Sequence, residues 1–348
     1  MAFRAWEAPT QQGIQNMYTI RSFAGRDKDR LLAFFEELSR PERAVGMAQR
    51  WHWERELDPR AVAGEAPYGA VAEADGKIAG SVSFMPAGLF IGGRPVEAYW
   101  QYDSMVHPDY RRRGIASKLI THGAEHAVML AKGTSQAMLA TRQRNGYKIV
   151  ESSGYWIRNL SFTPRVARVM GRFLARLVGG LLNLALRKPP PPSPEVVTLA
   201  GDFDDAFDGL WEDAREAYPA ITLRNQETLQ WRYREKPDSE YSVIVFRKDR
   251  GLRGYAVLET FTRRQRLRGK IVDLLTRRDD EEARRELLAA ALAMHRANGA
   301  DSVYCYATDA TLIGSLKSLG FGPKRRPDPM TVLGELPESP YITEGDGI

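Results

Sequence analysis

Hydrophobic and polar positions fall into two stretches of the chain with the same succession of patterns. Residues 18–59 begin YTIRSFAGRDKDRLLAFFEEL and end RWHWERELDP, and residues 195–237 begin EVVTLAGDFDDAFDGLWEDA and end LQWRYREKP. Each reads as a short strand, an amphipathic helix and a Trp-x-aromatic group shortly before a proline. The groups are Trp51-His52-Trp53 and Trp231-Arg232-Tyr233. Strand-like segments come next in both stretches, and the turn signals Asp75-Gly76 and Gly92-Gly93 break the first set into an antiparallel meander. A helix, a short strand, a short helix and a Gly-aromatic pair then close each stretch, at Gly154-Tyr155 and at Gly320-Phe321. An internal repeat of strands and helices predicts an α/β protein of two tandem domains, each a mostly antiparallel mixed sheet flanked by helices.

A different pattern separates the two. Residues 165–188 read RVARVMGRFLARLVGGLLNLALRK and run into PPPPSP at 189–194, a stiff extended spacer. Arg165, Arg168, Arg172 and Arg176 recur on one helix face and Val169, Phe173, Leu177, Leu181 and Leu184 on the other. Such a helix either lies peripherally on an anionic membrane surface or packs its apolar face between domains, and the periodicity does not choose. Its uncharged stretch is too short to span a bilayer. The expected layout is a catalytic domain over 1–164, the helix and linker over 165–194, a second domain over 195–335 and a tail over 336–348.

Composition narrows the class. The 348 residues are 43% hydrophobic and 27% charged, which excludes a disordered or collagen-like chain and leaves ample material for two cores. The single cysteine, Cys305, excludes a disulfide scaffold and fits a reducing, cytoplasmic setting; its context, VYCYATD, reads as a buried strand. The amino terminus has no apolar core resembling a signal peptide. No metal is expected, since the five histidines fall in no ligand spacing. The net charge of +6 favours anionic partners such as nucleotides, and without a recognised motif it does not argue for nucleic acid. Oligomeric state is left open.

The stretch that carries chemistry is Met105-Val106-His107-Pro108-Asp109-Tyr110-Arg111-Arg112-Arg113-Gly114-Ile115-Ala116-Ser117. A strand ends at Val106, Pro108 stops the ladder, and a helix is predicted from Gly114 to about Ala131. The start of a helix offers free N–H groups, Gly114 lets a ligand approach the backbone, Ala116 and Ser117 keep the next positions narrow, and three arginines add charge. Strand, proline, arginines, glycine and helix in that order describe a diphosphate cradle rather than a solvated charge run.

This stretch resembles the acyl-CoA-binding motif of the GNAT superfamily, the Gcn5-related N-acetyltransferases. The motif appears as Arg111-x-x-Gly114-x-Ala116, preceded by Val106-His107-Pro108, and the resemblance covers roughly residues 18–162. It implies that the backbone at Met105 and Val106 pairs with the pantetheine arm like an added strand. The amides from Arg112 to Ser117 would hold the pyrophosphate, and Asn145 would stand near the cofactor arm. The resemblance also implies a bulge in the strand before the motif and a short strand over Ser135–Thr141. Residues 195–335 look like a diverged second copy without the cradle: Arg277-Arg278-Asp279-Asp280-Glu281-Glu282 has no glycine after the arginines and sets four acids where a pyrophosphate would sit.

Acylation of an amine needs a base for the amine and a proton for the departing thiolate. The family's usual tyrosine for the thiolate corresponds to Val150, which leaves Tyr147, three residues upstream, as the remaining phenol. Alternation along the strand puts Glu97, Tyr99, Gln101 and Asp103 on one face, and Asp103 is the candidate base, with a hydrogen-bonded strand acid as the other reading. The expectation is an N-acetyltransferase that uses acetyl-CoA or another acyl-CoA on a primary amine of a small molecule or sugar by direct attack. The alternative is a non-catalytic CoA-binding or membrane-associated scaffold. The acceptor and the acyl chain length cannot be read from the sequence.

Overall fold

The computed structural model describes residues 18–38, 41–60, 68–133, 135–161, 190–237, 239–249, 251–325 and 328–347. The basic amphipathic segment over 165–188 lies outside the described residues. Among the described residues, no helix is long and apolar enough to cross a membrane.

Two seven-stranded mixed sheets dominate. The first half supplies β1 (Thr19–Ser22), β2 (Gly69–Ala74), β3 (Lys77–Pro86), β4 (Leu89–Ile91), β5 (Arg94–Val96), β6 (Ala98–Val106), β7 (Val128–Ala131), β8 (Lys148–Ile149) and β9 (Gly154–Asn159). Its helices are α1 (Lys28–Glu37), α2 (Pro41–Arg55), α3 (Ile115–Thr121) and α4 (Gln136–Arg144). The second half supplies β10 (Val196–Thr198), β11 (Ala220–Thr222), β12 (Ser242–Lys248), β13 (Gly251–Arg263), β14 (Arg266–Thr276), β15 (Ser302–Ala307), β16 (Gly322–Pro323) and β17 (Thr331–Leu333). Its helices are α5 (Ala206–Arg215), α6 (Gln226–Tyr233), α7 (Glu281–Ala297) and α8 (Ala310–Ser318).

The strand orders match position by position. One sheet runs β1-β2-β3-β6-β7-β17-β8 and the other β10-β12-β13-β14-β15-β9-β16. Each contains a parallel pair, β6 with β7 and β14 with β15, among antiparallel neighbours. Each is completed by a strand from the other half: β17 pairs with β7 and β8, and β9 pairs with β15 and β16. A small third sheet again joins the halves through β11 and β4. The expected meander is present, and Asp75-Gly76 and Gly92-Gly93 take the positive φ that tight hairpin turns require.

Two elements differ from the sequence reading. The helix expected to run to about Ala131 ends at Thr121, because Gly123 (φ +75°) turns the chain and the apolar run Val128–Ala131 becomes β7. Ser135–Thr141, expected as a strand, starts α4 instead. The Ser135 hydroxyl accepts the Met138 N–H at 3.3 Å, a helix cap, and the strong helix formers of QAMLATRQR come after it.

The halves meet through a reciprocal contact. The Trp53 and Trp231 rings stack with centroids 4.4 Å apart and planes 10° apart. Trp53 Nε1 donates to the Trp231 carbonyl at 2.8 Å, and Trp231 Nε1 donates to the Trp53 carbonyl at 2.9 Å. This is a self-complementary contact of the kind a two-fold axis generates. It makes Trp53, not Trp51, the counterpart of Trp231. Each of the two then stands the same distance before its proline, Pro59 or Pro237. Around the pair, Met85, Leu89, Trp100 and Leu130 of the first half form one buried cluster with Ala220, Tyr306, Val332 and Ile342. Trp53→Ala is expected to cost about 3–5 kcal/mol, the range for a buried tryptophan truncated to alanine. Because strands cross between the sheets, the variant should still unfold in a single transition at lower denaturant. Circular dichroism and tryptophan fluorescence, followed together through a urea titration, check both points.

Candidate active site

The site grows from an irregularity in β6. Against β3, Ser81 pairs with Met105 but Ser83 pairs with Tyr102, so β6 carries one extra residue at Asp103–Ser104. Asp103 takes φ +48° to accommodate it. The bulge reverses the parity of the strand. Before it, Trp100 packs in the buried cluster between the halves and the Tyr102 hydroxyl donates to Glu54 of α2 at 3.0 Å. Gln101 points the other way, donating to the Ile120 carbonyl of α3 at 2.7 Å. Beyond it, odd-numbered Met105 packs with the α1–α2 cluster, and Val106 packs with Ile115 and Leu119 of α3. The unbroken alternation expected from sequence therefore stops at Gln101. Asp103 sits close enough to α2 to act on Arg50: burial disfavours that guanidinium, but the Glu54 and Asp103 charges outweigh burial and raise its pKa.

The same strand opens on its other edge. β6 and β7 pair in parallel only from Ala98 with Val128 to Trp100 with Leu130. Past that point β6 runs on to Val106 with no described strand against this edge. A strand edge with no neighbouring strand is a template for an extended ligand.

Beyond β6 the chain passes a short 3₁₀ turn at Pro108–Tyr110 and reaches α3. Gly114, at φ +80°, is left-handed, and no side chain caps the first N–H groups of the helix. A Cβ at Gly114 would meet only the Tyr18 hydroxyl, at 3.5 Å, so the backbone angle rather than crowding calls for glycine. Arg112 also takes a positive φ, +63°. The loop is braced from outside: Tyr18 donates to the Arg113 carbonyl at 3.0 Å, Arg111 Nε to the Val106 carbonyl at 3.2 Å, and Arg113 to the Asp109 carbonyl at 2.9 Å. Arg111, Arg112 and Gly114 are exposed, Ile115 is buried in the core, and Ala116 and Ser117 are half-buried. Asn145, at the end of α4, donates to the Ser117 hydroxyl at 3.0 Å and so ties α4 to the loop. Met105, Val106, the Arg111–Ser117 segment and Asn145 thus border one region beside the open edge. Among the described residues, no group of three or more His, Cys, Asp or Glu could hold a metal.

Residues 28–147 match the family model described as the acetyltransferase (GNAT) family. The segment between Lys28 and Tyr147 is a GNAT-family domain. No curated protein sequence matches the chain. Among solved structures, a GCN5-related N-acetyltransferase from Anabaena variabilis is similar with a TM-score of 0.60 at 14% identity, over 90% of this chain and 72% of that one. An N-myristoyltransferase from Saccharomyces cerevisiae, solved with bound myristoyl-CoA, gives 0.57 at 13% identity, over 95% and 85%. A GCN5-related N-acetyltransferase from Kribbella flavida gives 0.52 at 15%, over 90% and 70%. At these identities the likeness is one of fold.

Within the GNAT domain, Tyr147 is a core residue, 3% exposed. Its hydroxyl lies 2.6 Å from the Ile120 carbonyl and 2.8 Å from Gln101 Oε1, which also accepts from Arg142 at 2.7 Å. Burial pushes its pKa up to about 12. The phenol locks β6, α3 and α4 together and has no surface to offer a leaving group.

In the second half the corresponding features are filled. The β14–β15 pairing also lasts three residues, from Gly269 with Val303 to Ile271 with Cys305, and β14 also has an extra residue opposite the Val257–Leu258 step. Its far end, however, is satisfied from within. Tyr341 donates to the Leu274 carbonyl at 2.5 Å and Tyr218 to the Thr276 carbonyl at 3.1 Å. Arg224, fully buried, bonds Asp273 at 3.1 Å and Asp346 at 2.7 Å. Asp280 caps α7 by accepting the Ala283 N–H at 2.9 Å and is held by Arg253. The four acids are visible in sequence; that Arg224 and the tail fill the gap has no local signal.

Tyr147→Phe should cost about 1–2 kcal/mol by removing a buried hydroxyl from a satisfied network. Chemical denaturation of the two proteins measures it, and an unchanged midpoint would show that the hydroxyl does not brace α3.

Proposed function

We propose that the chain is an acyl-CoA-dependent N-acyltransferase with one donor site, in the first half, most simply an acetyltransferase acting on a primary amine of a small molecule. The observation that carries this reading is the open edge of β6, beside its bulge and the uncapped loop, within the segment matched to the acetyltransferase family. The residues fit an extended thioester with a pyrophosphate at one end: a strand edge for the pantetheine arm, and amides from Arg112 to Ser117 with three arginines for the phosphates. The myristoyl-CoA bound to the similar N-myristoyltransferase fold supports the same assignment.

Bound acyl-CoA supplies an acyl group activated as a thioester, which an amine converts to an amide with release of the thiol. The chain's part is to hold the donor, bring the amine to it and manage one proton. Met105 and Val106 pair with the arm, and Asn145 fixes Ser117 and through it the loop. The backbone turned out by the Asp103 bulge is the donor that polarises the acyl oxygen. Asp103, on the side of α2 and away from the loop, is the proposed proton acceptor for the amine. Tyr147 acts as a positioning residue. In the second half, the Asp280 cap and the Arg224–Asp273–Asp346 cluster occupy the equivalent places, which supports one donor site per chain.

Ala116→Glu tests the reading without disturbing the fold, since a carboxylate in the first turn of a helix favours the helix. In calorimetry, acetyl-CoA should bind wild type and lose at least tenfold in affinity in Ala116→Glu, while Asp279→Ala in the second half leaves binding unchanged. Thiol release from acetyl-CoA in the presence of primary amines then separates an enzyme from a CoA-binding scaffold. Absence of acetyl-CoA binding by wild type, or equal binding by Ala116→Glu, would contradict the proposal.

A further inference from the structure

Between the halves lies a cavity of about 170 Å³. Its wall includes Trp53 and Met85 of the first half, Arg232, Tyr233 and Lys236 at the end of α6, Glu259 and Lys270 of the second sheet, and Glu344 of the tail. It adjoins the parting of β6 and β7. Met85 pairs with Trp100, and Glu344 lies 3.6 Å from Lys132, the residue after β7, whose ammonium sits over the Trp100 ring.

The carboxylates on this wall are already engaged. Glu259 pairs with Lys270 at 2.9 Å, and Glu344 accepts from the Tyr155 hydroxyl at 2.7 Å. The donors are not. Tyr233 is 3% exposed and its hydroxyl has no hydrogen-bond partner. Arg232 is 4% exposed; one of its terminal nitrogens reaches Asp346 at 3.3 Å and the other, Nη2, has no partner. Lys236 has no carboxylate within ion-pair distance among the described residues and lies over the Trp53 ring, 3.4 Å from the Tyr241 hydroxyl. Buried donors without acceptors are rare, because each forfeits its hydration with no return. Two of them on the wall of one cavity, with the half-buried ammonium of Lys236 beside them, describe a receptor for an anion.

We propose that this cavity binds the acceptor, and that the acceptor carries an anionic group, a carboxylate or a phosphate, which Arg232, Tyr233 and Lys236 hold while its amine faces the parting of β6 and β7. The excluded class is the simple amine without an anionic handle. A site built to satisfy these donors rejects a neutral analogue, which would leave them unpaired. Describing the ligand as an acceptor rests on the acyltransferase reading; the anion recognition does not.

Matched pairs test it by calorimetry with no donor present: glycine against glycinamide, L-glutamate against L-glutamine amide, and phosphoethanolamine against ethanolamine. At least one anionic member should bind, about tenfold or more tighter than its neutral twin. Whether carboxylate or phosphate pairs discriminate identifies the source of the anion. Tyr233→Phe removes an oxygen that bonds nothing in the fold, so its melting temperature should not fall while affinity for the anionic member drops about tenfold; Lys236→Met should lower that affinity likewise. Equal binding of the twins, binding unchanged in both variants, or no binding by any anionic member would overturn the proposal. Anion binding that persists while acetyl-CoA fails to bind would leave the cavity assignment standing and remove the acyltransferase reading instead.

Discussion

Each sheet is completed by a strand that belongs to the other half of the chain. With β17 inserted between β7 and β8, and β9 between β15 and β16, neither sheet can lose its partner without exposing the hydrogen-bonding edges of two strands. The stacked Trp53–Trp231 pair locks the same junction with two reciprocal hydrogen bonds. The linker therefore joins segments that are already interlocked. The consequence is positional: the end of β7, the end of α6 and the carboxy-terminal tail are brought to one place.

That junction separates two halves whose strand orders match. Both parallel pairs part after three residues, and both flanking strands carry an extra residue. In the second half, Arg224, Tyr341 and Tyr218 close the gap from within. In the first half, the tail passes instead on the side of Trp100 and Lys132, and the β6 edge beyond Trp100 has no described strand against it. One edge is consumed in building the molecule, and the other is the one proposed to hold the donor. The ion pairs of Arg224 with Asp273 and Asp346 are fully buried, and such pairs contribute little net stability after desolvation.

Much of this is legible in sequence for identifiable reasons. The Asp75-Gly76 and Gly92-Gly93 turns, the strand ending at Val106 and the glycine at 114 are local signals whose physics does not depend on distant partners. The departures share a cause as well. A four-residue apolar run such as Val128–Ala131 looks alike in a helix and in a strand, and only β6 and β17 on its two sides make it a strand. Alternation gives Asp103 a face, but its own positive φ interrupts that alternation. Trp51 and Trp231 both begin a Trp-x-aromatic group, whereas the reciprocal bonds belong to Trp53. Strand exchange, and the cavity it creates, have no signal within either half.

The β6 edge and the loop before α3 are proposed to form the donor site together, and the equivalent surface of the second half is proposed not to. Amide hydrogen exchange with and without acetyl-CoA tests both parts in one experiment. The predicted result is slowed exchange over residues 101–106 and 111–117 and no change over 272–283. Protection over 272–283, or none over 101–106, would contradict it.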